Sequence, residues 1–324
     1  MCIRDRFYIE PMLPCVSDID MMCYQSNQLA IPRGHPPPTQ LPDEFSCYVQ
    51  VAEIIDSQLP GYVYLKLRYI LIYCPEDDKY NYIEYDEEIY MYARLDERGS
   101  RNYTPTVLHT INYFFLYDSK VYFAPRIKRH GPATLVCGDD PSVLPWDALS
   151  CVRCLSWPSQ AADWSTRHRN YDWPDSATVD RVVNNGCDVV KVAHLQCRQD
   201  ELMSTFQWRM SFSRAEIVLI NSWMPIQQIV YHMLRVFCKT EQLSDSIDNT
   251  GAKILSNYNI KTLMLWACEL KPRSWWTDDL NLVKICVKLL HTLSVWLNER
   301  RCQHYFVNNC NLLDNTLSVE MVVN

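Results

Sequence analysis

The sequence predicts an α+β protein in which a strand-rich first half is followed by an all-helical second half. Three observations predict it. Residues 46–123 alternate in the two-residue period of strands and are rich in Tyr, Val and Ile. After Trp157 the apolar residues recur instead at three- and four-residue steps, the period of an amphipathic helix. The 324-residue chain is 48% hydrophobic and 21% charged, a globular composition with enough apolar mass for two lobes of ordinary size.

In the first half, strands are predicted over Tyr62–Tyr73, Tyr82–Leu95, Val107–Tyr117 and Val121–Ala124. Turn-forming segments such as Pro75–Asp78 and Asp96–Gly99 divide them. Ile31–Pro42 reads as a loop, because Pro36, Pro37 and Pro38 cannot continue a helix or a central strand. In the second half, Val179, Val182, Val183, Cys187 and Val190 keep helical spacing behind the cap residues Asp175 and Ser176. Ser213-Arg-Ala-Glu216 has the pattern of a capping box opening a helix through Trp223 and beyond. Ile260–Leu270 is a further helix, ended by Pro272, and Leu280–Leu297 a longer one entered through Thr277-Asp278-Asp279. The lobes are therefore expected at residues 7–156 and 157–324. Met1–Arg6 reads as translated adapter sequence, so the chain is expected to lack its true N-terminus.

Composition excludes several classes of function. Seven glycines, with no Walker or dinucleotide fingerprint, argue against a glycine-cradled phosphate site and leave phosphate handling to metal ions and side chains. The net charge of −7 is concentrated in the first half: residues 7–150 carry 11 Lys and Arg against 20 Asp and Glu, whereas residues 151–324 carry 18 against 17. No basic nucleic-acid stripe runs through the chain. The compact cluster Arg126, Lys128, Arg129 and His130 reads as a solvated turn. Fifteen irregularly spaced cysteines in a chain too large to need staples read as reduced thiols of cytosol or nucleus. No apolar stretch reaches membrane-spanning length.

The sharpest local feature is Ser17-Asp18-Ile19-Asp20-Met21-Met22. On a strand, Asp18 and Asp20 share a face while Ile19 points away. Two adjacent carboxylates repel one another unless a divalent cation neutralises them, and hard oxygen donors suit Mg2+ or Mn2+. Taken alone, the pattern more often marks a solvent-facing loop edge than a metal site. Asp147, within Pro145-Trp-Asp-Ala-Leu-Ser150, is the candidate third carboxylate, with a turn aspartate after Pro145 as the equal alternative. Cys151-Val-Arg-Cys154 has zinc-knuckle spacing but no matched second half, and on a strand its sulfurs would face opposite ways, so buried structural thiols are the preferred reading. No nucleophile–histidine–carboxylate arrangement accompanies His168, His194, His232 or His291.

The second half carries a resemblance. Phe206-Gln-Trp-Arg-Met-Ser-Phe-Ser-Arg-Ala-Glu216 resembles a "WRLSFSxxE" motif of the cyclic GMP–AMP synthase / Mab-21 family, and Leu255-Ser-Asn-Tyr-Asn-Ile-Lys-Thr262 resembles its "SSYHxKT" segment. Trp157-Pro158 with Trp164, and His304-Tyr-Phe306 with Asn311-Leu-Leu313, are similar to further elements of that family. The resemblance implies a polymerase-β-like nucleotidyltransferase lobe of mixed sheet, followed by a helical C-terminal lobe of HhH/H2TH type. It implies Asp18, Asp20 and Asp147 as catalytic metal ligands. Arg209, Ser211, Ser213 and Glu216 would then contact nucleotide bases, and Lys261 the donor phosphates. A pair of Mg2+ or Mn2+ ions, ATP and GTP as substrates, and double-stranded RNA or another activating ligand are further implications, as is a cytoplasmic or nuclear setting in innate immune sensing. The chain departs from the active members: Asp5-Arg6 stands where they carry a Gly-Ser pair, the zinc-binding insertion after Glu216 is absent so that no structural zinc is expected, and the base-stacking tyrosine is replaced near His291 or Thr292. Two readings therefore stay open, a cyclic dinucleotide synthase and a catalytically silent scaffold that binds a ligand.

Overall fold

The computed structural model describes residues 19–85, 89–91, 126–130, 133–137, 146–192, 194, 206–243, 255–277 and 282–313. Its contacts divide the chain into two units, one from Met1–Ser156 and Gly186–Ser211, the other from Trp157–Asn185 and Phe212–Asn324.

The first unit is built on a mixed sheet. Its strands are β1 (Ile19–Pro32), β2 (Tyr48–Asp56), β3 (Tyr62–Cys74), β4 (Lys79–Glu84), β5 (Arg126–His130), β6 (Ala133–Cys137), β7 (Trp146–Cys154), β8 (Cys187–Val190) and β9 (Gln207–Ser211). Their order is β1-β2-β3-β9-β8-β7-β6-β5, with β4 added beside β3 and a further pairing of β1 with β7. The β1–β2 and β1–β7 ladders are parallel and the others antiparallel. The period-two pattern that predicts β3 also makes its core: Val63, Leu65 and Leu71 are fully buried. Leu71 packs with Leu29, Phe45, Val49 and Val51 into one cluster.

Several expectations change here. The first two residues of the predicted Ile31–Pro42 loop end β1. Of the predicted strand Tyr82–Leu95, the first three residues end β4, Tyr90 makes an isolated bridge to Lys66, and residues 86–88 and 92–95 lie outside the described residues. The predicted strands Val107–Tyr117 and Val121–Ala124 lie outside the described residues. The basic run Arg126–His130 is not a turn but strand β5, paired with β6.

The chain leaves this unit after β7 and returns to it at β8. The predicted helix from Ser176 through Val190 stops at Asn184, and Cys187–Val190 is a strand buried along its whole length. A short apolar run fits a buried strand as well as a helix turn, and Gly186 decides between them. Its φ of +62° breaks the helix, and a Cβ there would meet the Cys154 carbonyl oxygen at 2.2 Å. Arg153 fastens the same place. Its Nη1 donates to the carbonyl oxygens of Cys154 and Cys187, both at 2.7 Å, and lies 3.8 Å from Asp188 Oδ1.

The described helices of the second unit are α1 (Ala162–Thr166), α2 (Ser176–Asn184), α3 (Ser213–Asn221), α4 (Pro225–Thr240), α5 (Asn257–Leu270), α6 (Arg273–Trp276) and α7 (Leu282–Asn298). Asp175 caps α2 as predicted, accepting the Thr178 N–H at 2.7 Å. The predicted capping box at Ser213–Glu216 does not form. Phe212 holds the N-cap position without a side-chain cap, and the Glu216 carboxylate is engaged by Lys261 rather than reaching back to the backbone. Nor does that helix continue past Trp223. It ends at Asn221, and a new one starts at Pro225, where Gln227 accepts the Met224 N–H at 2.9 Å. The start of α5 is closed by Ser256 and Asn259, with Asn259 Oδ1 accepting the Ser256 N–H at 2.9 Å.

The motifs that look alike in sequence meet here in one aromatic core. Phe306 stacks on Phe212 at 4.7 Å and lies 5.9 Å from Trp157 and 5.2 Å from Trp164, measured between ring centres. Beside it, the buried Glu269 accepts from Arg167 Nη2 at 2.8 Å and from the Tyr305 hydroxyl at 2.7 Å. Arg167 also lies over the rings of Trp266 and Tyr305, at 4.6 and 4.9 Å. His304 Nδ1 accepts the N–H groups of Phe306 and Val307, which puts its proton on Nε2, 3.1 Å from the Tyr258 hydroxyl oxygen.

Gly186→Ala is expected to destabilise the protein by about 2–4 kcal/mol, because both a positive φ and a backbone contact oppose the added methyl group. Urea denaturation of the two proteins measures it.

Candidate functional site

The parallel pairing of β1 with β7 sets the first part of the site. Its register makes Asp20 and Asp147 Cα partners, with Ile19 opposite Trp146 and Met21 opposite Ala148. Asp147 is thus a half-buried strand residue and not a turn aspartate, and the buried Ala148 beside it belongs to the core. Asp18 lies outside the described residues. Among the described residues no group of three or more His, Cys, Asp or Glu side chains gathers to hold a metal ion. The two described positions do fit the donor chemistry of a hard divalent cation: both are aspartates, on adjacent strands, at matching heights.

Strand β9 carries the next two candidates. Trp208 and Met210 enter the core, while Arg209 is exposed and Ser211 half-buried on the alternate positions. Arg209 lies across from Tyr62 on one side and Val190 on the other, and Ser211 lies across from Asp188. Asp188 itself, fully buried beside Arg153, escapes a reading of the sequence. The available signal was an ionisable residue inside the apolar run Cys187–Val190, where a charge persists only with a partner. Lys191 escapes it too. Its Nζ lies 5.4 Å from the centre of the Trp208 ring, and burial holds its ammonium below the usual lysine value.

Ser213, Glu216 and Lys261 belong to the second unit. Ser213 is the half-buried first residue of α3, where backbone N–H groups are not yet used within the helix. Glu216, one turn on, is buried and pairs with Lys261 of α5, Nζ to Oε2 at 3.2 Å. Two residues picked out separately as nucleotide contacts are thus partners of one another. Cys151 and Cys154, the zinc-knuckle pair, are both buried in β7.

A strand-rich unit presenting paired aspartates, with a helical unit after it, is the architecture of a nucleotidyltransferase-type domain joined to a helical C-terminal domain. The sequence profile of the Mab-21 protein nucleotidyltransferase domain matches residues 39–222, and that of the Mab-21 protein HhH/H2TH-like domain matches residues 227–322. The first alone covers more than half of the chain, which belongs to the Mab-21 family. It is 29% identical over 161 residues to "Protein mab-21-like" of Aedes aegypti, covering 48% of this chain and 40% of that protein. To "Protein male abnormal 21" of Caenorhabditis briggsae it is 27% identical over 173 residues, 51% of this chain and 44% of that one. The chain thus spans less than half the length of these two relatives.

Lys261→Met is expected to cost about 2 kcal/mol or more, since it leaves the buried Glu216 carboxylate uncompensated. Adding Glu216→Gln should recover about 1 kcal/mol of that loss. Chemical denaturation of the single and double variants checks both figures.

Proposed function

We propose that this Mab-21 protein is a metal-dependent nucleotidyltransferase of the cyclic GMP–AMP synthase-like type, joining ATP and GTP into a cyclic dinucleotide when an activating ligand binds. The observation that carries the reading is the register of Asp20 with Asp147 on adjacent parallel strands. A divalent cation held there supplies positive charge to the phosphate oxygens and lowers the pKa of a bound hydroxyl. The residues Asp20 and Asp147, with Asp18, would hold it as carboxylate ligands. The reaction they serve is attack of a ribose hydroxyl oxygen on an α-phosphorus, with the bond to pyrophosphate breaking. Arg209, exposed on β9, offers a planar cation to a base or phosphate, and Ser211 on the same strand offers a hydroxyl. Ser213 adds a hydroxyl at a helix N-terminus, where anions are favoured. Lys261 engages a donor phosphate by exchanging its partner Glu216 for the nucleotide. Double-stranded RNA is the activating ligand in this reading, and the cytosol or nucleus its setting, in keeping with the free thiols of the described cysteines.

One observation favours a second reading. The Lys261 ammonium already has a buried carboxylate against it, which suits a scaffold that binds a ligand without turning it over.

The two are separated by incubating the protein with ATP, GTP, Mn2+ and double-stranded RNA, with mass spectrometry of the products and calorimetry of nucleotide binding. A cyclic product that falls about 100-fold or more in Asp20→Asn and in Asp147→Asn is the result expected of the enzyme. Nucleotide binding without product, unchanged in both variants, would establish the scaffold instead.

A further inference from the structure

Cys154 and Cys187 take no part in the chemistry above. They are Cα partners on the antiparallel strands β7 and β8, both free thiols and both fully buried. Antiparallel partners lie about 4.5–5.5 Å apart at Cα, within the roughly 4.4–6.8 Å that a disulfide spans. The backbone is pinned on both sides, since Arg153 Nη1 donates at 2.7 Å to the carbonyl oxygens of both cysteines. Gly186 lets the two strands approach.

The two sulfurs are not equivalent. The hydrogen bond from Cys187 holds the Cys154 thiol below the ordinary cysteine value in spite of its burial. That same hydrogen bond, and burial, push the Cys187 thiol well above it. Of the two, Cys154 gives up its proton the more readily. Cys154 Sγ also lies 3.3 Å from the Ser156 carbonyl oxygen. Ser156 lines a cavity of about 80 Å³ together with Leu29, Ala30, Ile31, His35 and Leu155. A single water needs about 10–15 Å³ by the same measure, so the cavity has room for a peroxide-sized molecule.

We propose that Cys154 and Cys187 are an oxidation site, closing a reversible disulfide when the protein meets a hydroperoxide. The Cys154 thiolate attacks one peroxide oxygen. An S–O bond forms, the O–O bond breaks, and the departing hydroxide takes a proton to become water. The Cys187 sulfur then attacks the sulfenic sulfur: an S–S bond forms, the S–O bond breaks, and a second water leaves with the thiol proton. Two thiols have given two electrons to one peroxide. The bond fastens the strands where the chain leaves the first unit and where it returns, enclosing the whole segment Trp157–Asn185.

The test treats the full chain with hydrogen peroxide, denatures it in N-ethylmaleimide and maps its peptides without reductant. The expected result is a peptide joining Cys154 to Cys187 that dithiothreitol removes, with a Tm higher than that of the reduced protein by roughly 5 °C. In Cys187→Ser the cross-link is absent, and dimedone traps a sulfenic acid at Cys154. The proposal is overturned if both cysteines return as maleimide adducts under conditions that oxidise the exposed Cys47. It is equally overturned if either pairs mainly with another cysteine. The wild-type map decides between these outcomes even where the variant does not fold.

Discussion

The first unit depends on one contact, the grip of Arg153 on the carbonyl oxygens of Cys154 and Cys187. Strands β7 and β8 are joined through the segment Trp157–Asn185 of the other unit, so no tight turn sets their register. A short ladder of four registered pairs, Cys151–Val190 to Cys154–Cys187, has to do it. The guanidinium supplies donors to two carbonyl groups at the end of that ladder, and Asp188 compensates its charge. A charge taken this far from water is tolerable because its donors are satisfied and a carboxylate is near. Gly186 completes the arrangement by letting the returning backbone pass close to the outgoing one. Strand β9 follows by pairing with β8, and with it the positions of Arg209 and Ser211. Asp147 rides on the opposite end of β7, where its partner is β1.

The second unit handles charge by the same rule with different means. Glu269 sits almost wholly out of water, yet it receives a guanidinium and a phenol at hydrogen-bond distance, with Arg169 Nε at 3.7 Å. The aromatic faces of Trp266, Tyr305 and Trp164 cover the two arginines. Desolvation weakens the hold of Arg169 on its proton, and the facing carboxylate opposes that weakening. Glu216 and Lys261 form a second pair joining α3 to α5. Each carboxylate fixes helices or segments far apart in sequence, which small helices such as α1 and α6 could not do by their own propensity.

What the sequence showed of this follows from how local each determinant is. The β3 strand and the cap at Asp175 were visible, because alternation and an N-cap need only neighbouring residues. The α5 boundary at Pro272 was visible for the same reason. The sequence carries α2 too far, since Val183, Cys187 and Val190 keep helical spacing across a glycine whose backbone contact is non-local. The Ser213–Glu216 pattern was misread because Lys261, forty-five residues on, takes the carboxylate that a capping box would use. Residue type and resemblance single out Asp147 and Asp20, but their alignment is a property of the β1–β7 ladder. Arg153 and Asp188 were missed altogether. Arg153 and Asp188 lie thirty-five positions apart, and the β7–β8 register brings them together.

The residues that make the family resemblance strongest are mainly structural ones. Trp157, Trp164 and Phe306 fill the aromatic core, Ser256 caps a helix, and the Asn311 side chain accepts the Cys302 N–H while donating to the Arg300 carbonyl oxygen. Such positions are constrained by shape and by hydrogen-bond geometry, whatever chemistry the protein performs. Removing one opens a cavity or orphans a buried polar group, at a cost of several kcal/mol against a total stability of about 5–15 kcal/mol. Asp147, half-buried on β7, is not part of that aromatic and capping framework. The alignment of Asp20 with Asp147 is set by the backbone of the β1–β7 ladder, which is why the proposed enzyme rests on that pair and not on the longer motifs around it.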